Sequence, residues 1–308
     1  MNRATAQGAA PGSVAVALRK KLEDLDQMPT IPAVLVPLLR YLERPVEQME
    51  LNKVVNLISQ DESLVTKCLS MANSPLFGRS QEVDTIHGAV VALGMHLMRD
   101  IAVSCSILNL VPTKAGNFNP TAFWEHSLGC ALVCREFARK ISYADPGKAY
   151  LAGLLHDVGI VAHLWVVPRE FQSAVQKAQE QHIALNEAES LTLGVDHCET
   201  GRIVGERWHL SPDLLAVIGG HHAVARAPSH RDLVALVSLS DMLCRMSGLG
   251  YGYAEEREVS FVEEPGFSVL LQECPALLDF DWARFTFELE AYMEEVHRLV
   301  AAFYRNPG

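Results

Sequence analysis

The sequence has little positive charge, and its basic residues form no continuous stripe. Its 308 residues include 26 Lys and Arg against 37 Asp and Glu, which gives a formal net charge of −11. The acids are concentrated in residues 250–308, where 12 acidic residues face four basic ones. Proteins that bind nucleic acids draw much of their affinity from clustered basic residues that neutralise phosphates. The charge distribution therefore argues against a general nucleic-acid binder.

Long uncharged apolar runs and paired cysteines are also missing. The longest uncharged apolar run, residues 101–113, is too short to cross a bilayer, and the N-terminal residues lack the apolar core of a signal peptide. The seven cysteines are scattered, apart from Cys130 and Cys134, and lack the spacing of a disulfide framework or a zinc ribbon. We expect a cytoplasmic protein without membrane association, whose thiols are reduced and buried.

The alternating pattern of β-strands is absent, whereas apolar residues recur at helical spacing from about Val14 onward. The sequence therefore predicts an all-α fold. We expect a flexible N-terminus (1–12), an N-terminal helical lobe (13–112), a second helical lobe (113–247), and an acidic loop with a C-terminal helix (248–308). Within these parts we expect an N-cap at Asp61, a break near Gly94, a helix over about 147–162 and an exposed loop over 248–266.

Polar residues interrupt several strongly apolar segments of the second lobe. His156 and Asp157 lie within AYLAGLLHDVGIVAHLW, where an unpaired polar group would be costly to bury. Comparable positions are held by His126, His197, His221, His222 and Asp241. These side chains either form a hydrogen-bonded core network or hold a metal. Imidazoles together with carboxylates are typical ligands of Mn, Fe, Zn and Ni.

Taken in chain order, these seven histidines and aspartates resemble the pattern of the HD superfamily. Residues 22–245 as a whole resemble HDOD domains, the HD-related output domains of bacterial signalling proteins. The resemblance is carried in the first lobe by MPTIPAV (28–34), LNKVVNLISQDESLVTKCLSMANSPLF (51–77) and TIHGAVVALG (85–94). In the second lobe it is carried by FWEHSLGCA, LAGLLHDVGI, GVDHCETG, RWHLSPDLLAVIGGHH and SLSDML. It implies an all-helical fold built around a metal site.

The resemblance also implies which residues bind metal. A first ion would be held by His126, His156, Asp157 and Asp241. A second ion would be held by Asp157, His197, His221 and His222, with Asp157 bridging the two. Fe or Mn is expected, with Zn and Ni as alternatives.

Cyclic-di-GMP phosphodiesterases of the related HD-GYP type carry motifs that this chain lacks. They follow the His-Asp pair with glycine and lysine, whereas Gly159 is followed by Ile160 here. After the paired histidines the chain reads HHAVARAPSH, without the GYP segment, and Ala122 occupies the place of a third-metal carboxylate. This activity is therefore not expected.

The leading hypothesis is a signalling output module that retains its metal site. It would contact a protein partner through the first lobe or the acidic C-terminal helix, and a homodimer is compatible with this role. The first alternative is a metal-dependent phosphohydrolase acting on a phosphorylated small molecule, with Arg79, Arg99, Arg202 or Arg226 orienting the phosphate. The second is a diiron redox or oxygen-linked sensor, with Cys198 beside His197. The third is the metal-free hydrogen-bonded network.

Overall fold

A computed structural model describes residues 14–16, 18–20, 37–38, 50–77, 82–108, 110–112, 115–253 and 260–305. Within these ranges the secondary structure consists of α-helices and short 3-10 turns, without a strand. The all-α fold class expected from the sequence is thus confirmed. The motif MPTIPAV at 28–34 lies outside the described residues.

The first lobe contains four helices that the structure describes over their whole length. They are α1 (Leu51–Ile58), α2 (Glu62–Ala72), α3 (Ile86–Leu93) and α4 (Met95–Leu108). Asp61 is the N-cap of α2, since its Oδ1 accepts a hydrogen bond from the backbone N–H of Leu64 at 3.1 Å. Gly94, with φ of +85°, separates α3 from α4. Both features were predicted.

The second lobe contains eight helices that pack around one another. They are α5 (Pro120–Lys140), α6 (Pro146–Leu155), α7 (Val158–Val166), α8 (Pro168–Gln181), α9 (Leu185–Leu193), α10 (His197–Arg207), α11 (Pro212–Gly220) and α12 (Arg231–Met246). Helix α5 packs along α6 and α12, α7 packs against α10, and α4 of the first lobe reaches α6. The buried apolar residues of both lobes form one continuous core. The boundary between the lobes at residues 112 and 113 stays a prediction.

The single helix predicted over 147–162 is wrong, because α6 ends at Leu155 and α7 begins at Val158. Helix α7 approaches α10 so closely that a Cβ on Gly159 would lie 2.0 Å from the carbonyl oxygen of His197. The interruption leaves His156 and Asp157 between two helices, and both side chains are fully buried. The two residues at the break between the helices therefore lie in the protein interior.

The C-terminal segment adds α13 (Pro265–Glu273) and α14 (Trp282–Arg305). The exposed loop predicted over 248–266 is wrong in part, since Leu249 and Tyr251 are only 1% and 5% exposed. The reason is that their side chains pack into the second lobe, where Gly129 of α5 leaves room for Leu249. Residues 254–259 of that loop lie outside the described part.

One stretch among the described residues, Pro146–Val166, is long and apolar enough to cross a membrane by length and composition. It is interrupted by Lys148 and Asp157. Its most apolar 18-residue segment is 94% buried inside the fold, as is typical of core helices.

Candidate metal centre

The seven residues predicted as ligands come together in one buried cluster of the second lobe. His126 lies in α5, His156 and Asp157 between α6 and α7, His197 at the start of α10, His221 and His222 directly after α11, and Asp241 in α12. His222 is half-buried, and the other six are at most 1% exposed. Side chains up to 115 residues apart in the chain thus meet at one point.

One oxygen of Asp157 faces a first ligand group, which consists of Asp157 Oδ2, His126, His156 and Asp241. Asp157 Oδ2 lies 3.2 Å from His156 Nε2 and 3.6 Å from His126 Nε2. The two Nε2 atoms are 3.3 Å apart. Asp241 Oδ1 lies 3.3 Å from His126 Nε2 and completes the group.

The other oxygen of Asp157 faces a second ligand group, which consists of Asp157 Oδ1, His197, His221 and His222. Asp157 Oδ1 lies 3.2 Å from His197 Nε2 and 3.5 Å from His221 Nε2. His197 Nε2 and His222 Nε2 are 3.1 Å apart. A single buried carboxylate therefore connects the two histidine groups.

Backbone carbonyls fix the tautomer of three of these histidines. The Nδ1 atoms of His126, His156 and His221 lie 2.7, 2.7 and 3.1 Å from the carbonyl oxygens of Leu249, Gly153 and Val217, respectively. A carbonyl oxygen only accepts, so each Nδ1 carries the proton and donates it. Each Nε2 therefore points into the cluster, where it can offer a lone pair to a metal, which is the usual arrangement of a metal-bound histidine.

The distances within the cluster fit metal ligation. Two ligand atoms about 2.1 Å from one cation lie about 3.0–3.4 Å apart at angles of about 90–109°, and the separations here run from 3.1 to 3.6 Å. Asp157 Oδ1 and Asp241 Oδ1 are buried without a hydrogen-bond partner. These buried acceptor atoms require positive charge nearby, which a metal ion would supply. Among the described residues, two groups of side chains could each hold a metal ion, namely His126, His156 and Asp157 in one, and His197, Cys198, His221 and His222 in the other. Imidazole and carboxylate are typical donors of a divalent metal site.

Both carboxylates of the cluster favour the charged form that binds metal. Burial raises the pKa of Asp157, but the neighbouring His156 and His197 outweigh burial, and the pKa falls well below its usual range. Burial likewise raises the pKa of Asp241, while Arg245, whose Nη2 donates to Asp241 Oδ2 at 2.9 Å, lowers it well below its usual range. Both side chains are thus anionic at neutral pH.

Glu189 in α9 supports the second ligand group, although it was not among the predicted site residues. Its Oε2 accepts from the backbone N–H of His197 at 2.8 Å and from His197 Nδ1 at 2.7 Å. Its Oε1 lies 3.0 Å from Nδ1 of the buried His163. Burial raises the pKa of Glu189, but the lowering by His197 and His163 is larger, and the pKa falls to about 2. A signal was present, since Glu189 lies on the apolar helix face between Leu185 and Leu193.

Three more contributions to the cluster were missed. The Tyr251 hydroxyl donates to Asp157 Oδ2, and the Leu249 carbonyl accepts from His126. Arg245 pairs with Asp241 one helical turn earlier. The spacing of Arg245 from Asp241 could have indicated this ion pair. Leu249 and Tyr251 lie in a turn without periodicity, so no pattern pointed to them.

The cysteines are free thiols, and six of the seven are buried. Cys198 is a buried residue, as expected, but its Sγ also lies 3.8 Å from both ring nitrogens of His221. Burial raises the pKa of Cys198, whereas His221 and His197 lower it below its usual value. Cys130 and Cys134 have their sulfur atoms 4.0 Å apart in the core.

Two of the four arginines proposed to orient a phosphate pair with acidic residues outside the ligand groups. Arg99 is buried beside Asp100, Arg202 pairs with Glu206 at the surface, and Arg226 is exposed. Arg79 lies outside the described residues. Arg245, which was not among these candidates, contacts the ligand residue Asp241.

Residues 28–224 match the family model of the HDOD domain. The chain belongs to the HDOD domain family. This confirms the resemblance found in the sequence. An HDOD domain protein of unknown function from Geobacter sulfurreducens has a similar structure, with a TM-score of 0.80, 28% identity, and coverage of 94% of this chain and 97% of that one.

Two further comparisons place this HDOD chain among more distant relatives. An uncharacterized protein of Treponema pallidum (strain Nichols) is 25% identical over 223 residues, which are 72% of this chain and 43% of that protein. The chain thus matches less than half of that relative's length. A structure from Shewanella amazonensis SB2B, whose name proposes a phosphohydrolase, has a TM-score of 0.69 and 23% identity, with coverage of 92% and 96%. At this identity the likeness shows the HDOD fold alone.

Proposed function

We propose that this HDOD protein is a bacterial signal-transduction output module whose second lobe binds two divalent metal ions. The observation that carries the proposal is the position of Asp157, whose two oxygens face separate histidine groups. The first ion would be held by His126, His156, Asp157 and Asp241, and the second by Asp157, His197, His221 and His222. Fe and Mn fit these imidazole and carboxylate ligands, with Zn and Ni as alternatives.

The enclosure of the cluster favours signalling over turnover. Six of the seven ligand residues are at most 1% exposed, so a substrate has no direct access to them. Because the ligands come from α5, α10, α12 and the ends of α6 and α11, metal binding ties these helices together. A protein partner that contacts the first lobe or α14, where Glu290 and Glu294 are exposed, could then distinguish the loaded from the metal-free state.

A metal-dependent phosphohydrolase is the second candidate, and the position of Asp157 between the two histidine groups favours it. Two ions held by these residues would supply Lewis acidity for a phosphoryl oxygen and would activate a water as the nucleophile. In the loaded site Asp157 would contribute its anionic carboxylate to both ligand groups, and each imidazole would bind through an unprotonated Nε2. A phosphorylated small molecule would be the substrate, and the ligand groups would have to open to admit its phosphate.

Elemental analysis tests the metal site directly. The full chain, purified without chelators, should contain about two transition-metal ions per molecule. His156→Ala and His221→Ala should each lower that number, because each removes a ligand of one group. His297→Ala is the matched control, since His297 is exposed and is not one of the seven cluster residues. A wild-type chain without metal would contradict the proposal.

Turnover assays separate the two candidate functions. The Mn- or Fe-loaded chain should leave nucleoside phosphates and p-nitrophenyl phosphate intact if it acts as a signalling module. Metal-dependent hydrolysis that disappears in Asp157→Asn would instead establish the phosphohydrolase. The same loaded and metal-free samples should differ in affinity for the physiological protein partner once it is known. Equal affinity would exclude metal-linked signalling.

A further inference from the structure

A short segment after α12 covers the first ligand group. We call residues 248–252 the strap. It begins and ends with glycines, Gly248 and Gly252, that both have φ of +87°, a conformation that residues with side chains rarely adopt. The strap follows α12, the helix that carries Asp241, and its residues Leu249 and Tyr251 are buried.

The strap packs closely against helix α5. The carbonyl oxygen of Leu249 accepts from His126 Nδ1 at 2.7 Å. The Leu249 side chain packs against Gly129, one turn further along α5, where a Cβ would lie only 2.4 Å from Leu249 Cδ1. A glycine at this position therefore allows the strap to lie against the helix that carries His126.

Tyr251 contacts the first ligand group at two points. Its ring lies against the His126 ring, with the centroids 4.9 Å apart. Its hydroxyl donates to Asp157 Oδ2, the oxygen that faces His126 and His156. The phenol thus touches the carboxylate that the two ligand groups share.

The hydrogen bond from Tyr251 sets the rotation of this carboxylate. The terminal torsion of an aspartate is soft, and rotation would turn both oxygens away from their histidine groups. A carboxylate oxygen has two lone pairs, so Asp157 Oδ2 can accept from Tyr251 and still present a lone pair to a metal. Because burial holds the Tyr251 ring in place, its hydroxyl opposes the rotation.

We propose that Tyr251 is a positioning residue for the metal ion at the first ligand group, acting through Asp157, and that the strap supplies two of the outer contacts of this ion. The inference rests on the proposed two-metal function. The strap lies beyond residues 28–224, the part that matches the family model. The role therefore belongs to the segment that follows the matched part of this chain.

Tyr251→Phe tests the inference, because it removes the hydroxyl and keeps the ring. The full chain is stripped of metal and titrated with Co²⁺, whose visible absorption reports ligand geometry, while dialysis gives the Kd of each ion. We expect the Kd of the first ion to rise about 10-fold or more, as for other losses of an outer hydrogen bond to a ligand, with a changed absorption band. The Kd of the second ion, which Asp157 Oδ1 faces, should rise less. Asp241→Asn should perturb the same band and so identify it as that of the first ion.

The chain offers a matched control two residues further on. Tyr253 is half-buried, and its hydroxyl lies 3.4 Å from the carbonyl oxygen of Ile183. Tyr253→Phe should therefore bind both Co²⁺ ions with wild-type affinity and spectrum.

The outcomes distinguish this inference from the proposed function. If Tyr251→Phe binds two Co²⁺ ions with wild-type constants and spectrum, the positioning role is overturned while the two-metal site stands. If it loses both ions together with a lower Tm, the hydroxyl has a general structural role and the inference is again overturned. If the wild-type chain itself binds no Co²⁺, the proposed function fails.

Discussion

One carboxylate oxygen of Glu189 holds His197 at two points, through its backbone N–H at 2.8 Å and its ring Nδ1 at 2.7 Å. The backbone contact fixes the first turn of α10, and the ring contact directs Nε2 of His197 toward Asp157. The other oxygen is engaged by His163, whose Nε2 lies 2.8 Å from Thr200 Oγ1. The orientation of the second ligand group thus depends on a buried residue that is not a ligand.

Glu189→Gln should weaken the metal ion of the second ligand group. Glutamine has one acceptor oxygen where glutamate has two, so either His197 or His163 loses its acceptor. Loss of such an outer contact typically lowers metal affinity about 10–100-fold. Equilibrium dialysis with elemental analysis should show this effect on one ion and leave the other unchanged. Glu187→Gln is the control, because Glu187 is exposed on the same helix. Equal metal affinities in the two variants would refute the role of Glu189.

The seven residues that the structure brings into one cluster could be singled out in the sequence, because several of them interrupt apolar segments and their order resembles that of the HD superfamily. The sequence does not predict the break after Leu155, since the apolar pattern continues through His156 and Asp157. That break accompanies the close approach of α7 to α10 at Gly159, which only the packed structure reveals. The contacts of Tyr251 were missed for the same reason, because they depend on the path of the chain after α12.

Gly159→Ala should destabilise the protein and disturb the second ligand group. A Cβ at this position would lie 2.0 Å from His197 O and 2.7 Å from Gly201 N, both backbone atoms that a rotamer change cannot relieve. Overpacking of this kind typically costs about 1–3 kcal/mol, and α10 must shift together with His197. Urea unfolding and metal content measure the two effects. Gly220→Ala is the control, since its nearest neighbour would be 3.5 Å away, and a wild-type result for Gly159→Ala would contradict the close approach.

Asp100 should make stability depend on pH between about 4 and 6. Burial raises its pKa from 3.8 to about 6, although Arg99 and Arg135 lower it. As pH rises through this window the unfolded chain releases the proton first, so the free energy of unfolding falls, by about 3 kcal/mol in total.

Urea unfolding of the wild type and Asp100→Asn from pH 4 to 7 measures this dependence. The variant leaves Arg99 and Arg135 without their buried counter-ion, so its overall stability also changes. The stability of the wild type relative to the variant should nevertheless decrease as pH rises from about 4 to 6 and then level off. An increase over that window would show that Asp100 is charged more readily in the folded state.

Removal of metal should lower the thermal stability of the protein. The Nε2 atoms of His126 and His156 are 3.3 Å apart and those of His197 and His222 are 3.1 Å apart, so each pair can bind one metal ion, and that binding stabilises the folded state. A ligand at 100 times its Kd stabilises the folded state by about 2.7 kcal/mol, which corresponds to a rise in Tm of several degrees. A chelator should therefore lower the Tm of the wild type, and Mn²⁺ should restore it. His156→Ala should have a lower Tm before any addition, and its Tm should change less with the chelator. A wild-type Tm that is unchanged by both the chelator and Mn²⁺ would exclude a metal contribution to stability.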